Sequence, residues 1–284
     1  MSSESEHGGP EQAGATEGTG IDRSVPHSAR IWNYWLGGKD NYAVDREAGD
    51  AWLENHPQMA VIAREKRAFL RRVVRFLAAE AGIDQFLDVG TGLPTAGNTH
   101  EVAQAVNPAA RVVYLDNDPL VLAHARALLT SSPQGATRYL HVDMHDQPEL
   151  IRGAGELLDL TRPVAVLFIG VLGHVDTTEH AHALVAGLMA RMAPGSYLAI
   201  ADGHDQDTAA DAGLTQAEKN YAESGAVPYH NRTPAEVKSF FTGLEFVPPG
   251  YAPMAGWRPD LSDVPPVTDA DPAATGYGGV ARKP

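Results

Sequence analysis

The sequence predicts an α/β fold in which a mostly parallel sheet carries helices on both faces. From residue 84 onward, short apolar runs alternate with segments whose apolar residues recur at helical spacing. The first apolar run contains Asp88 and is followed by two glycines, Gly90 and Gly92, and then by a predicted helix. A strand, a glycine turn and a helix in this order bring backbone N–H groups close to a nucleotide-like ligand.

The composition fits one large domain, or one domain with an appendage. The chain has 284 residues, of which 43% are hydrophobic, and this is enough for a buried core. Its net charge of −14 argues against binding along a nucleic-acid backbone, which needs a basic surface. The absence of cysteine excludes a disulfide, a thiol nucleophile and a cysteine-ligated iron–sulfur cluster.

The amino-terminal part of the chain predicts a tail followed by a helical extension. Residues 1–24 are polar and rich in glycine up to Ile21, so a disordered tail is expected. They show neither the basic start nor the apolar centre of a signal peptide, and no apolar run approaches the roughly 20 residues of a membrane helix. A cytoplasmic protein without membrane contact is therefore expected. Residues 25–82 form the extension, and residues 83–284 form the ligand-binding domain.

Three helices are predicted in the extension: Ser28–Leu36, Asp45–Glu54 and Met59–Ala79. Gly37 and Gly38 end the first helix and offer a hinge. The segment that carries Tyr34, Lys39 and Tyr42 is thus either a lid over the ligand and substrate or a fixed cover of the sheet. The third helix has a basic face that predicts a solvated surface, with Arg64, Lys66, Arg67, Arg71, Arg72 and Arg75.

The strands and helices of the ligand-binding domain follow in strict alternation. The predicted strands are Gln85–Val89, Arg111–Leu115, Thr137–Val142, Val164–Ile169 and Tyr197–Ala201, and the helices are Asn98–Val106, Leu120–Leu129, Glu149–Leu158 and Thr178–Met192. Two late runs, Leu244–Val247 and Tyr277–Ala281, complete a seven-stranded sheet. Between them Pro248–Pro272 is rich in proline and aspartate, which predicts a long surface loop.

Two classes of ligand bind at such a glycine turn: nicotinamide or flavin dinucleotides, and S-adenosylmethionine. The residues of this chain fit the second class better. Asp116 ends the second strand roughly 20 residues beyond the glycines, where a carboxylate binds ribose hydroxyls. Dinucleotide turns read G-x-G-x-x-G, but Thr95 replaces the third glycine and Pro94 removes a backbone donor. A pyrophosphate would lose part of its cradle, whereas S-adenosylmethionine has no phosphate. Asp88 is suited to binding the ammonium group of this ligand or to holding the glycine loop.

The chain resembles the class I S-adenosylmethionine-dependent methyltransferases. The resemblance rests on Leu87–Gly92, on Asp116, on Asp143 followed by Met144, and on Pro194-Gly195. Ser28–Asn41 and Gly90–Thr95 also resemble the marks of a bacterial S-adenosyl methyltransferase family long known as a domain of unknown function. The resemblance implies a Rossmann-like sheet with an antiparallel last strand and S-adenosylmethionine as cofactor, and Asp143 would contact the adenine. The predicted cofactor-binding residues are Asp88, Gly90, Thr91, Gly92, Asp116, Asn117, Asp143, Met144 and Gly170.

Three histidines, His145, His174 and His204, follow strands of the predicted sheet. Ligands bind beyond the carboxyl ends of parallel strands, and a hydroxyl or protonated amine acceptor needs a base there. His174 is the first candidate for this catalytic base, and His204 is the second. A metal site is the alternative at Asp202, His204, Asp205 and Asp207, but no metal is expected.

The sequence from Gly170 to His174 lacks the N-P-P-Y or D-P-P-Y pattern found after strand four in enzymes that methylate amino groups of nucleic-acid bases. A hydroxyl, carboxylate or amine of a small molecule is therefore the expected methyl acceptor. Two other functions stay open from the sequence: a nicotinamide-dependent oxidoreductase, and a non-catalytic protein that binds S-adenosylmethionine for regulation. The oligomeric state stays open as well.

Overall fold

A computed structural model describes residues 22–128, 131–204, 211–263, 265 and 275–284. The predicted disordered tail lies almost wholly outside these residues. The extension contains α1 (Ser28–Trp35), α2 (Ala43–Asn55) and α3 (Met59–Ala79). Leu36 caps α1, and Gly37 then takes a positive φ of 79°, which explains why the helix ends there.

Strands and helices alternate after α3, as the sequence predicts. The strands are β1 (Gln85–Val89), β2 (Arg111–Asp116), β3 (Ala136–His141), β4 (Ala165–Ile169), β5 (Tyr197–Ala201), β6 (Glu245–Phe246), β7 (Ala252–Pro253) and β8 (Tyr277–Arg282). The helices are α4 (Thr99–Val106), α5 (Pro119–Leu128), α6 (Gln147–Ala154), α7 (Thr178–Ala190), α8 (Asp211–Glu223) and α9 (Pro234–Ser239).

The sheet is mostly parallel and its last strand is antiparallel, which confirms the predicted fold class. Its order is β3-β2-β1-β4-β5-β8-β6, and β7 pairs with β8 off this path. The first five strands run parallel, whereas β8 runs antiparallel to both β5 and β6. The sheet has eight strands rather than the predicted seven, because Ala252 and Pro253 pair with Gly278 and Tyr277.

Helices cover both faces of the sheet, and each face has its own core. Leu87, Val89 and Val113 face a core that α6 and α7 close. The alternate residues Phe86 and Val112 face the opposite core, which contains apolar side chains of α3 and α4. Because side chains alternate along a strand, buried β1 and β2 need apolar residues on both faces, and this produces their continuous apolar runs.

The third helix joins two parts of the molecule. Its carboxyl-terminal half contributes Phe69, Val73 and Leu77 to the sheet core. Its first residues, including Met59 and Ile62, pack instead with Trp35, Trp52 and Tyr221 in a separate core that contains side chains of α1, α2, α3 and α8. We call α1, α2, the start of α3 and α8 the helical cap.

The prediction that the basic face of α3 is solvated is wrong. Lys66 and Arg72 are buried, and Arg67, Arg71 and Arg75 are partly buried; of the six residues, Arg64 is exposed. Arg72 donates from Nε to the carbonyl of Trp257 at 2.9 Å, and from its guanidinium to Glu65 at 2.8 Å and to the carbonyl of Met254 at 2.6 Å. These charges are buried because their partners are buried with them.

The segment predicted as a surface loop at Pro248–Pro272 is also different in its described part. Met254 and Trp257 are fully buried, and the Trp257 ring makes edge contacts with Phe69 and Phe76 at centroid distances of 5.4 and 6.0 Å. Proline and aspartate dominate the composition, but two large apolar side chains anchor the segment on α3. Residue 264 and residues 266–272 of this prediction lie outside the described residues.

Two helices are absent from the prediction, α8 and α9. Thr233 caps α9 by accepting a hydrogen bond from the Glu236 amide, and the Glu236 carboxylate accepts from Thr233 in return. The other helices and strands agree with the predictions within a few residues at each end. Among the described residues, no helix has both the length and the apolar composition that crossing a membrane requires.

We expect Arg72→Met to lower the free energy of unfolding by about 3–5 kcal/mol, because it leaves the Glu65 carboxylate buried without its charge partner. Urea denaturation of the purified protein measures this change. Arg75→Met is the matched control: Arg75 lies one turn later and pairs with Asp263, with its side chain 33% exposed. The control should cost less than about 1 kcal/mol. Equal losses in the two variants would show that the buried network does not stabilise the fold.

Candidate functional site

A cleft of about 270 Å³ lies at the carboxyl ends of the central strands. β1, β2, β3 and β4 each end at this cleft, and α1 and α3 form its other walls. Its lining includes Asp88, Gly90, Thr91, Gly92, Asp116, Asn117, Asp143, Met144, Gly170 and His174. The structure thus brings together all nine residues predicted to bind cofactor and the first candidate base.

The glycine turn is held in place by Asp116. Gly92 donates its amide to Asp116 Oδ2 at 2.8 Å, and the amide of Asp118 donates to Oδ1 at 3.0 Å. Gly90 and Gly92 both have positive φ angles, 69° and 67°. A Cβ at Gly90 would lie 2.2 Å from Val171 Cγ2, so only glycine fits there. The predicted ribose carboxylate therefore also shapes the turn.

Asp88 lies under the glycine turn. It is 3% exposed and accepts a hydrogen bond from Thr99 Oγ1 at 2.6 Å. Burial raises the pKa of Asp88 to about 6, although the Thr99 hydroxyl, the Arg67 guanidinium and the Thr91 hydroxyl all act to lower it. Asp88 thus contacts the turn through the side chain of Thr91, whereas Asp116 accepts the backbone amide of Gly92.

The residues at the exit of β3 lie on the open side of the cleft. Asp143 is largely exposed and accepts from both the backbone amide and the ring Nδ1 of His145, at 2.9 and 2.7 Å. Hydrogen bonds from His145 outweigh the effect of partial burial and lower the pKa of Asp143. Met144 follows in the cleft wall, and Asn117 faces it from the exit of β2. This side of the cleft combines an ionised acid with an apolar surface.

His174 sits in the cleft wall after β4. Its Nδ1 lies 3.1 Å from the carbonyl oxygen of Pro228. Because a carbonyl oxygen only accepts, Nδ1 carries the proton and Nε2 of the neutral ring keeps a lone pair. Burial lowers the pKa of His174, so the neutral form that can accept a proton is favoured near pH 7.

A second, smaller cavity of about 40 Å³ adjoins the cleft and shares Trp32 and Lys66 with it. We call it the aromatic cavity, since its described lining contains the rings of Trp32, Trp35, Trp52, Tyr221 and Tyr229. Asp202 and His204, at the exit of β5, also line it. The structure therefore separates the two candidate bases: His174 lies in the cleft and His204 in the aromatic cavity, where its ring centroid is 5.6 Å from that of His56.

Lys66 stands where the two cavities meet. Its Nζ lies 3.8 Å from Asp202 Oδ1, 3.4 Å from the Tyr229 hydroxyl and 5.4 Å from the centroid of Trp32. Gly170, with φ of 77°, lets Lys66 approach, because a Cβ there would lie 3.1 Å from Nζ. Burial lowers the pKa of Lys66, against the attraction of Asp202.

The three residues predicted for the lid or the substrate lie outside the described lining of both cavities. Tyr34 donates its hydroxyl to Asp50 at 2.6 Å, Lys39 is exposed, and Tyr42 packs against the guanidinium groups of Arg23 and Arg30. The first helix and its two caps nevertheless cover the cleft through six other residues: His27, Ser28, Ala29, Trp32, Asn33 and Leu36.

Buried charged side chains connect α1 to the exit of β2. Arg30 Nε lies 3.5 Å from Asp118 Oδ2 and 3.6 Å from Asp45 Oδ1, and all three side chains are buried. His27 Nδ1 lies 3.1 Å from the same Asp118 oxygen. The helix that covers the cleft is thus connected to the strand whose last residue is Asp116.

The alternative metal site at the exit of β5 is described only in part. Asp205 and Asp207 lie outside the described residues. Within the described ranges, no group of three or more histidine and acidic side chains is arranged to hold a metal ion.

Sequence reasoning missed Trp32, Lys66 and Arg67, all of which line the cleft. A signal for Lys66 was present: it lies three residues before Phe69 and four before Leu70, which places it on the buried face of α3. Arg67 donates to the Gly97 carbonyl at 3.3 Å, but its buried Nε has no hydrogen-bond partner among the described residues. The same holds for Thr95 Oγ1 in the cleft wall.

These residues fit S-adenosylmethionine. Asp116 offers carboxylate oxygens to ribose hydroxyls, and the unpartnered polar atoms of Arg67 and Thr95 offer further hydrogen bonds. Apolar side chains for an adenine ring stand on the same side as Asp116, among them Leu93, Leu115, Val142 and Met144. A parallel sheet with an antiparallel last strand, a glycine turn after β1 and an acid after β2 define a class I methyltransferase.

Comparisons with known proteins give the family. The model of the S-adenosyl methyltransferase family matches residues 14–284, so the chain belongs to this family. It is an S-adenosylmethionine-dependent methyltransferase with S-adenosylmethionine as its cofactor, which excludes the nicotinamide-dependent oxidoreductase. No curated protein matches the chain.

Two solved structures are similar over nearly the whole chain. One is a DUF574 family protein from Streptomyces avermitilis, with 42% identity and a TM-score of 0.86, covering 93% of this chain and 100% of that one. The other is described as a candidate methyltransferase from Thermobifida fusca, with 39% identity and a TM-score of 0.82, covering 93% of this chain and 97% of that one. The resemblance found in the sequence is thereby confirmed.

We expect Asp116→Asn to weaken binding of S-adenosylmethionine by roughly 1.5–3 kcal/mol, because the amide loses charge and one acceptor oxygen. Isothermal titration of the purified variant measures this loss. Asp146→Asn is the matched control, since Asp146 caps α6 with its side chain and asparagine caps equally well. Unchanged affinity in Asp116→Asn would remove Asp116 from the cofactor site.

Proposed function

We propose that this methyltransferase transfers the methyl group to a hydroxyl, carboxylate or amine of a small molecule. The observation that carries the proposal is the aromatic cavity beside the cofactor cleft, since the two share Trp32 and Lys66. An acceptor placed at this junction would be adjacent to the cofactor's methyl group. Concave sites lined by aromatic rings and a few polar groups are typical of small-molecule binding.

The cofactor contacts follow from the chemistry of the cleft. We assign Asp116 to the ribose, Asp143 and Met144 to the adenine, and the turn at Gly90, Thr91 and Gly92 to close backbone approach. Arg67 and Asp88 are oppositely charged groups of the cleft, suited to the carboxylate and the ammonium of the methionine part. When bound, S-adenosylmethionine supplies a methyl group already activated by its sulfonium, so the protein mainly positions the acceptor and excludes water.

His174 is the proposed catalytic base. Its Nε2 lone pair accepts a proton from the acceptor, while Nδ1 keeps its own proton and donates it in a hydrogen bond to the Pro228 carbonyl, which keeps the ring oriented. The ring also makes an edge contact with Tyr229, at a centroid distance of 5.1 Å. Tyr229 lines the aromatic cavity, so His174 stands beside the proposed acceptor position. His204 is the second candidate, from within that cavity.

The net charge of −14 supports a small-molecule acceptor rather than a nucleic acid. The cytoplasmic location expected from the sequence stays a prediction, as do the domain boundaries at residues 24 and 82.

For the segment from Ser28 to Tyr42 we propose the role of a cover that orders with the cofactor. Its support is the contribution of α1 to the cleft wall and the glycine pair that follows it.

We expect turnover to rise with pH through an apparent pKa below the ordinary 6.5 of histidine. The sign follows from the pKa of His174, which burial lowers: the base form is present above that pKa, and activity is lost as the pH falls through it. His174→Ala should flatten this rise and slow turnover by roughly 10²–10⁴-fold. The measurement is formation of S-adenosylhomocysteine against pH, with a panel of small acceptors.

His180→Ala is the control for this experiment, since His180 is an exposed histidine paired with Asp176. It should keep the wild-type pH profile, and both variants should keep their affinity for the cofactor. If His174→Ala retains full activity at every pH, His174 is not the base, and His204→Ala becomes the next variant to measure.

We also expect protease cleavage near Gly37 and Gly38 to slow when S-adenosylhomocysteine is bound, because ordering of the cover protects the hinge. Limited proteolysis followed by mass spectrometry identifies the cut and its rate. Equal rates at this position with and without the ligand would leave α1 as a fixed cover.

A further inference from the structure

The aromatic cavity contains buried polar atoms that the described part of the protein leaves without partners. Asp202 is 5% exposed; its Oδ1 lies 3.0 Å from the Tyr229 hydroxyl and 3.8 Å from Lys66 Nζ. Its other oxygen, Oδ2, has no hydrogen-bond partner there, and neither has Nε1 of Trp52. Buried polar groups are normally paired, so an unpaired carboxylate oxygen in the lining of a cavity indicates a ligand with a group that donates to it.

The walls of this cavity are suited to a positive charge. Trp35 and Trp52 lie 5.9 Å apart between ring centroids, and Trp52 lies 5.3 Å from Tyr221 and 6.4 Å from Tyr229. The Lys66 ammonium lies over the rings of Trp32 and Tyr229, so these two faces attract a cation, and the buried Asp202 carboxylate adds to this attraction. The small volume of about 40 Å³ favours a compact ligand group.

From these observations we propose that the aromatic cavity binds the amino group of a compact primary or secondary amine, and that this amine is the methyl acceptor. The amine's N–H groups donate to Asp202, and the rings of Trp32, Trp52 and Tyr229 surround its carbon substituents. This assignment rests on the proposed function, because it selects one of the three acceptor classes considered there.

A cationic ligand in this cavity meets the side chain of Lys66, and the two are compatible when Lys66 is neutral. Its Nζ already lies over the rings of Trp32 and Tyr229, at 5.4 and 5.9 Å from their centroids. Two ammonium groups beside one buried carboxylate repel each other, so an arriving ammonium favours the neutral form of Lys66. Burial already lowers the pKa of Lys66, although Asp202 opposes this. The other ionisable groups that line the cavity are His56, His204, Tyr221 and Tyr229.

The transfer step balances in protons and electrons. The ammonium loses one proton to Nε2 of His174, and the neutral nitrogen lone pair then attacks the methyl carbon supplied by the cofactor. A nitrogen–carbon bond forms, the carbon–sulfur bond breaks, and its electron pair returns to sulfur. The product is a methylated ammonium ion, and the proton on His174 passes to solvent.

The test is a titration of the full-length protein saturated with S-adenosylhomocysteine, followed by tryptophan fluorescence. The probe is isopropylammonium chloride, and the matched neutral probe is propan-2-ol at the same ionic strength in sodium chloride. Three of the four tryptophans line the cavity. We expect the ammonium ion to half-saturate the signal at a concentration at least about tenfold lower than the alcohol, because its hydrogen bond to Asp202 is charge-assisted. Similar concentrations for both probes overturn the proposal.

Asp202→Asn supplies the second arm, with Asp176→Asn as its control on the exposed surface. The first variant should remove the preference for the ammonium ion, and the control should retain it. A preference that survives in a folded Asp202→Asn protein overturns the role of Asp202. If that variant does not fold, the comparison of the two probes on the wild-type protein still tests whether the cavity prefers the ammonium ion.

Activity provides the last arm, in which product masses are measured for matched amines and alcohols. N-methylated products from amines alone support the proposal, whereas O-methylated products alone overturn it. The result is separable from the proposed function: if S-adenosylhomocysteine binds but the ammonium ion does not, only the amine assignment fails. If no small acceptor of any class is methylated, the proposed function fails as a whole.

Discussion

The contact between Lys66 and Asp202 determines how the two cavities of this protein are arranged. It joins α3 to the exit of β5 and lies at the boundary between the cofactor cleft and the aromatic cavity. Removing both charges from water costs several kcal/mol per ion, and the attraction repays this only where the geometry is very good. At 3.8 Å from nitrogen to oxygen, the pair is a poor source of stability. Its position at the junction gives it a clearer role in binding than in folding.

The third helix places this contact because it belongs to two cores at once. Its carboxyl-terminal half packs on the sheet, and its amino-terminal half packs in the helical cap. One continuous helix of 21 residues therefore sets the distance between the sheet, which carries the cofactor residues, and the cap, which carries the aromatic rings. Lys66 lies in the middle of that helix, where the two cores meet. The two halves of the site are thus aligned by the backbone of a single element.

The sequence predicts the cofactor half of the site much better than the acceptor half. β1 and β2 are buried on both faces, so their apolar runs are clear, and the residues that follow them lie at one edge of the sheet. The acceptor half is assembled from α1, α2, α3, α8 and the segments around Tyr229 and Thr275. No local sequence pattern indicates that these distant segments come together in the fold. The same limit explains the errors at Arg72 and Trp257, which have partners distant in the chain, whereas the burial of Lys66 was readable from its position on α3.

The two halves also differ in how complete they are before any ligand arrives. On the cofactor side, Asp116 already accepts the amides of Gly92 and Asp118, so the turn has its binding shape in the protein alone. Ordering the turn then adds little to the cost of binding. On the side of the proposed acceptor, Asp202 keeps a buried carboxylate oxygen without a partner in the described chain. A buried unpaired group costs about 1–3 kcal/mol, and the amine that we propose as acceptor recovers this cost by donating to Asp202. The glycine turn of the cofactor site is therefore preorganised by the protein's own contacts, whereas in our proposal the acceptor site is completed by its ligand.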